Sequence, residues 1–401
     1  MVPSRSSSPA RSSTTIEGRT MEMLNLSPFP NLRFFNTDNE GREFGVLLVK
    51  GTYDITADGR LVVADEQEPL VLTDTYHGAL NTSSLRVPSD IVPKKPRADV
   101  ILNAVARVPG GLARPSWTCG VRVEGEHVLE RRLRVTGPRV WEPVWGVSER
   151  ARATMSAAER RRVFGGWRLS EPEPASEVPI RYELASGGLL ARPQEGSDEA
   201  FLEADERNPL GCGWIDPALT PIEAPVSAPR IEAADAPIRE PHHLYAPAGF
   251  GPIPPAWLPR RPLGGTYDAH WRAHVWPNWP ADYDFAYHNS AHPDLVYPDL
   301  LIGDETVRLF GFGGEDGERV IRLPGHAIVL EVTRAGGRAH AAPIELDTLY
   351  LDVADPDPRR HRAHLSWRTI FDHREVEGLT FLLADLAELM APPSTETEKR
   401  S

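Results

Sequence analysis

From Leu24 to about Val140 the chain alternates apolar and polar residues with a period of two, the spacing of β-strands. The run "GREFGVLLVKGTYDITADGRLVVAD" predicts two strands about Asp58-Gly59, a dipeptide that favours hairpin turns. Between Phe44 and Val49 both faces of the first strand are apolar, as in a sheet covered on two sides. "ADVILNAVARV" sets Val100, Leu102, Ala104, Ala106 and Val108 on one face. "WTCGVRVEGEHVLERRLRV" predicts a second hairpin, turning at Glu124-Gly125. Its return strand alternates Leu129, Leu133 and Val135 with charged neighbours, so one face is wet.

The pattern changes over 148–170. "SAAERRRVFGG" predicts one short helix, opened by a Ser156–Glu159 capping box and stopped at Gly165-Gly166. The Arg160–Arg162 run reads as a solvated helix face. From about 171 to 262 regular structure fades. Eleven prolines between Pro221 and Pro262 fix extended chain laid over a scaffold. Trp214, Tyr245, Phe250 and Trp257 argue against disorder there, since disordered chain is poor in aromatics. β patterning returns from about 300 to 372. "RLFGFGGEDGERVIRL" predicts a hairpin with a Gly-rich turn, and "AIVLEVT", "LDTLYLDV" and "HRAHLSWRTI" follow as strands. The last sets Ala363, Leu365 and Trp367 against Arg362, His364 and Arg368. "LTFLLADLAELM" predicts an apolar helix that closes the fold.

The fold class expected is mainly β with little helix: β-sandwich-like sheets, a long Pro-rich irregular middle and one C-terminal helix. The chain divides into a disordered tail over 1–23, an N-terminal β region over 24–185 and a Pro-rich irregular segment over 186–262. A C-terminal β region with its closing helix covers 263–390, and a second tail 391–401. Gly and Pro make 71 of the 401 residues, well above the usual share of about 12%, which agrees with many turns and extended segments.

The net charge of −13 sets the chain against nucleic acid and anionic membrane. The two cysteines, Cys119 and Cys212, leave no disulfide framework and no CxxC metal site, which fits the cytoplasm. No apolar run reaches the length of a membrane span, and the N-terminal segment has no apolar stretch of a secretory signal. The tetrapeptide "GTYD" occurs at Gly51 and Gly265 in different contexts and reads as chance, not duplication.

Candidate chemistry is sparse. His270, His274, His288 and His292 have i, i+4 spacings that suit zinc on a helix, but Pro277 and Pro280 interrupt the segment, and no metal site is expected. There is no G-x-S-x-G elbow and no P-loop, and "GFGGEDG" lacks the dinucleotide spacing, so no cofactor is expected. Asp282, Asp284 and Asp294 lie near the histidines. A hydrolase using Asp and His residues of 268–294 is therefore the alternative to a non-catalytic protein.

Five stretches taken in order resemble one family. They are "LNLSPFPNLRFFNTDNEGREFGVLLVKGTYDITADGRL", "PIRYELASGG", "ERNPLGCGW", "PAGFGPIPPAWLPRRPLGGTYDAHW" and "WPADYDFAYHNSAHPD". The ordered set is similar to the type VI secretion accessory proteins, long catalogued as a bacterial domain of unknown function, and it spans about Leu24 to Leu386. The insertion "SERARATMSAAERRRVFGG" and the Ala185–Gly188 segment depart from the family's usual pattern. The resemblance implies a cytoplasmic adaptor or chaperone, not an enzyme, which helps load a toxic effector onto the VgrG spike and its PAAR-repeat tip. Within it, the stretch from Ala246 to Trp271 holds six prolines with aromatic residues between them. Phe250, Trp257, Tyr267, Trp271, Trp276 and Trp279 are the candidate partner contacts, since aromatic anchors on a rigid segment bind with little ordering cost. The competing reading for each is a wall that closes the core.

Overall fold

The strand Glu43–Ile55 organises the fold. Its apolar run Val46–Val49 is buried on both faces, as the lack of alternation there requires. It pairs with Arg362–Phe371 along one edge and with Asn31–Thr37 and Leu61–Val63 along the other. The full sheet runs Glu177–Pro179, Asp99–Arg107, Glu345–Val353, Arg362–Phe371, Glu43–Ile55, Asn31–Thr37. Neighbours are antiparallel except Asp99–Arg107 beside Glu345–Val353. A second sheet, antiparallel throughout, runs Ile231–Ala233, Val128–Thr136, Ser116–Glu124, Thr306–Phe310, Glu318–Arg322. The apolar faces of both merge in one core that holds Leu47, Val49, Val100, Leu102, Val121, Val123, Leu133, Leu349, Leu365 and Trp367.

This computed structural model describes residues 10–16, 19–193, 200–216, 220–313 and 317–391. Strands take 43% of the chain and helices 11%, so the protein is mainly β, with several mixed and antiparallel sheets and no closed barrel. The turn at Asp58-Gly59 closes its hairpin with Gly59 at φ +79°, where a Cβ would also strike the Val320 carbonyl. The capping box at Ser156 and Glu159 is present, and helix Ala157–Val163 follows it. That helix ends sooner than expected: Gly165-Gly166 lies inside the strand Phe164–Leu169, which pairs with Val140–Trp145.

Three expectations need correction. The C-terminal run is strand from Val376 to Asp385, and only Leu386–Leu389 is helical. A short apolar run fits either period; here His326–Arg334 and Arg19–Asn25 flank it and take up its backbone hydrogen bonds. Arg19–Asn25 begins within the segment 1–23 read as a tail, and it pairs with Ala10–Ile16 as well. Met21 is buried in the main core, which anchors this strand. Residues 1–9 of that segment and 392–401 of the C-terminal one lie outside the described residues. Finally, the two β regions do not stand apart. Asp99–Arg107 pairs with Glu345–Val353 and Ser116–Glu124 with Thr306–Phe310, so both halves of the chain build each large sheet.

Candidate functional site

The central sheet carries a polar face, and its residues follow from strand alternation. Register places Lys50 opposite Ser366, Ser366 opposite Thr348, and Thr348 opposite Asp99. The next row is Thr52, His364, Tyr350, Ile101, and the one after is Asp54, Arg362, Asp352, Asn103. Residues 64–98 lie over the first two rows and close a chamber of about 100 Å³. A β-bulge at Asp347 breaks the alternation and brings this carboxylate to Arg368.

Three cations are buried in the chamber, each with its own carboxylate. Lys50 Nζ is 2.8 Å from Asp90, Lys95 Nζ is 2.8 Å from Asp99, and Arg368 pairs with Asp347. Lys95 also donates to Thr348 Oγ1 at 2.8 Å, and Thr348 donates to Asp347 at 2.7 Å. Asp99 further accepts from Asn289 Nδ2 and the Ser290 amide, both at 2.9 Å. Burial pushes the Asp99 carboxyl up, but Lys95 and these donors more than offset it and hold it below its ordinary value. His364 lies deeper than Glu68, which stands 3.7 Å from its Nε2 at the rim. Burial, then the charges of Lys50 and Arg362, lower this imidazole to about 3, so it is neutral near pH 7. Each cation has its carboxylate, and the network fixes the loop to the sheet, although the buried Arg368 Nε has no hydrogen-bond partner among the described residues.

The aromatic candidates split into two groups. Phe250 is fully buried against Phe312, and its carbonyl accepts from the Leu102 amide at 3.0 Å. Trp257 is 5% exposed and packs edge-on against Tyr182. Both belong to the core wall, which removes them from any contact surface. Gly249 is required there, since a Cβ would sit 2.7 Å from the Tyr182 ring. The chain then projects. Thr266 donates to Asp282 through its amide and its hydroxyl, at 2.9 and 2.7 Å, and this clasp closes residues 266–282 into a loop. Trp276 is 68% exposed and Tyr267 50%. Trp271 and Trp279 are half-buried supports: Trp271 packs on Tyr267 at 4.7 Å, and the Trp279 indole N–H donates to the Thr37 carbonyl at 2.9 Å. A separate recess of about 380 Å³ has Phe44, Phe285, Ile370 and Phe371 on its wall, with the charged Asp38, Arg42, Glu43, Asp372 and Arg374 around them.

The histidines and carboxylates of 268–294 are dispersed. His270 and His274 share the exposed helix Ala269–His274. His288 hydrogen-bonds Tyr283, and His292 Nε2 donates to the Pro247 carbonyl at 2.9 Å. Asp282 holds Thr266, Asp284 caps Phe285–His288, and Asp294 pairs with Arg131. Among the described residues no group of three or more His, Cys, Asp or Glu side chains is placed to hold a metal ion. Burial raises both thiols, Cys212 to about 11. Of the polar face, sequence reading found only Arg362, His364 and Arg368 opposite the core; Lys50 and Thr52, and Thr348 and Tyr350, went unread although they too sit at alternate positions of strands whose other residues are core.

The protein is thus of a mixed-sheet β class built around a buried polar face. The chain belongs to a family of uncharacterized proteins conserved in bacteria (DUF2169), whose family model matches residues 40–368. No curated protein and no solved structure matches it. No helix among the described residues is long and apolar enough to cross a membrane.

Proposed function

We propose that the protein is a non-catalytic adaptor-chaperone of the type VI secretion kind, which in the cytoplasm carries a toxic effector to the VgrG spike and its PAAR-repeat tip. The sequence resemblance supplies that role. The observation that carries the binding element is the loop 266–282: a clasped, proline-stiffened segment that holds Trp276 and Tyr267 in solvent. Large aromatic side chains on a rigid base are the anchors that protein interfaces use. The hydrolase reading lacks comparable support: Asp268 and Asp284 are spent on caps, Asp282 on the clasp, Asp294 on Arg131, and His288 and His292 on hydrogen bonds, while His270 and His274 lie on an exposed helix.

Trp276→Ala and Tyr267→Ala test this reading. Both side chains are at least half exposed, so each variant is expected to keep its folding stability to within about 0.5 kcal/mol. Pull-down of candidate VgrG, PAAR-tip and effector proteins is expected to weaken by tenfold or more for Trp276→Ala, about the loss at a moderate hot spot. Undiminished capture by both folded variants would exclude the loop as the binding element.

A further inference from the structure

A second recess, of about 590 Å³, opens where the polar face leaves its cover. Its floor is the third row of the sheet and its neighbours, Asn103, Ala104, Val105 and Asp352, and Pro179 borders it. Around it stand Arg86, Arg181, Arg360 and Arg362. Arg86 is 3.2 Å from Asp352, Arg360 is 3.6 Å from Asp355, and Arg362 is 3.0 Å from Asp54. The Arg181 guanidinium has no hydrogen bond or ion pair among the described residues, and the residue is exposed. Exposed pairs such as Arg86–Asp352 and Arg360–Asp355 contribute about 0–1 kcal/mol, so these arginines turn onto an incoming anion at little cost. A guanidinium grips a carboxylate with two parallel hydrogen bonds. The half-buried His77 in the same wall is lowered to about 4, first by burial and then by Arg181, against the opposing pull of Glu183 and Asp352. Four arginines against Glu68, Asp352 and Asp355 leave the lining cationic by one charge, although the whole chain carries −13.

We propose that this groove binds an extended acidic segment of a partner protein, with the arginines taking its spaced Asp and Glu carboxylates. The lining offers side-chain guanidiniums, not the run of backbone N–H groups at a helix start that cradles phosphate. Glu68, Asp352 and Asp355 stand among the arginines. A compact polyphosphate would meet them, whereas a peptide with separated charges passes between them. The floor is three strands wide from Asn103 to Arg362, about 10 Å, which admits one extended chain. The proposal deepens the adaptor reading by adding a charged subsite, and rests on it only for the partner being a protein.

The experiment is fluorescence anisotropy of a labelled oligo-glutamate peptide with the full chain at low salt. Binding is expected, and it is expected to weaken as salt rises. Arg181→Glu and Arg360→Glu, both at exposed positions, are expected to keep the wild-type melting temperature and to weaken binding roughly tenfold to a hundredfold. Inorganic pyrophosphate in equal amount is expected not to displace the peptide. Absence of peptide binding, binding unchanged in both charge-reversed variants, or displacement by equal pyrophosphate would each overturn the proposal. Trp276→Ala is expected to leave oligo-glutamate binding intact, so loss of partner capture in that variant reports on the loop alone.

Discussion

Asp99→Ala is expected to lower the unfolding free energy by about 3–5 kcal/mol, the cost of leaving a buried cation without its counterion. Asp99 is fully buried. It accepts from Lys95 Nζ, Asn289 Nδ2 and the Ser290 amide, so it ties residues 95, 289 and 290 to one strand of the central sheet. Removing it strands the Lys95 ammonium, whose remaining hydrogen-bond partner is Thr348. The double variant Asp99→Ala, Lys95→Met removes that stranded charge and is expected to recover part of the loss, because an apolar pair avoids the desolvation that the ion pair must offset. Urea unfolding of the two variants and the parent gives the comparison. A single-variant loss below about 1 kcal/mol would mean that the chamber does not hold the 64–98 cover in place.

The hairpins at Asp58-Gly59 and Glu124-Gly125 were legible because turn chemistry and strand alternation are local and agree. The capping box at Ser156 was legible for the same reason. The pairing of Asp99–Arg107 with Glu345–Val353 was not, since it joins residues more than two hundred positions apart through a partner edge that no local pattern names. The same blindness made the run 379–385 read as helix: its apolar residues suit both periods, and only the flanking strands decide. The polar face failed for a different reason. A polar residue at every second position of a strand ordinarily faces water, and on "HRAHLSWRTI" His364 and Arg368 were set opposite the core on that rule. They do leave the core face, but residues 64–98 cover them, and each meets a counterpart delivered by that cover or by a neighbouring strand. Of the aromatic candidates, the sequence could not separate Phe250 and Trp257 from Tyr267 and Trp276. The division falls at the Thr266–Asp282 clasp, a contact between residues 16 positions apart.

Stability is expected to fall steeply as pH drops from about 7 to about 5, through histidines that the fold keeps neutral. His288, His292 and His364 are each lowered to about 3, first by burial and then by nearby cations: Arg260 and Lys95 for His288, Arg131 for His292, Lys50 for His364. In the unfolded chain each returns to about 6.5. Below that value the unfolded state takes up protons that the folded state refuses, so unfolding gains about 1.4 kcal/mol per pH unit per ring. At about pH 5 the cost is on the order of 2 kcal/mol for each of the three, enough together to match a large part of a typical folding free energy. The loss continues until pH approaches the folded values near 3. Asp99, whose carboxyl is held low, adds its own loss only at the acid end of that range, as pH falls through its folded value. Urea midpoints measured from about pH 7 to pH 4 test this. His292→Gln and His364→Gln should each make the profile shallower by one ring's share, whatever they cost near pH 7. A parent profile that stays flat down to about pH 5 would show that these imidazoles are protonated inside the folded protein. That outcome is incompatible with the His292 geometry, in which Nε2 donates to the Pro247 carbonyl while Nδ1 must stay unprotonated to accept from the Asp294 amide.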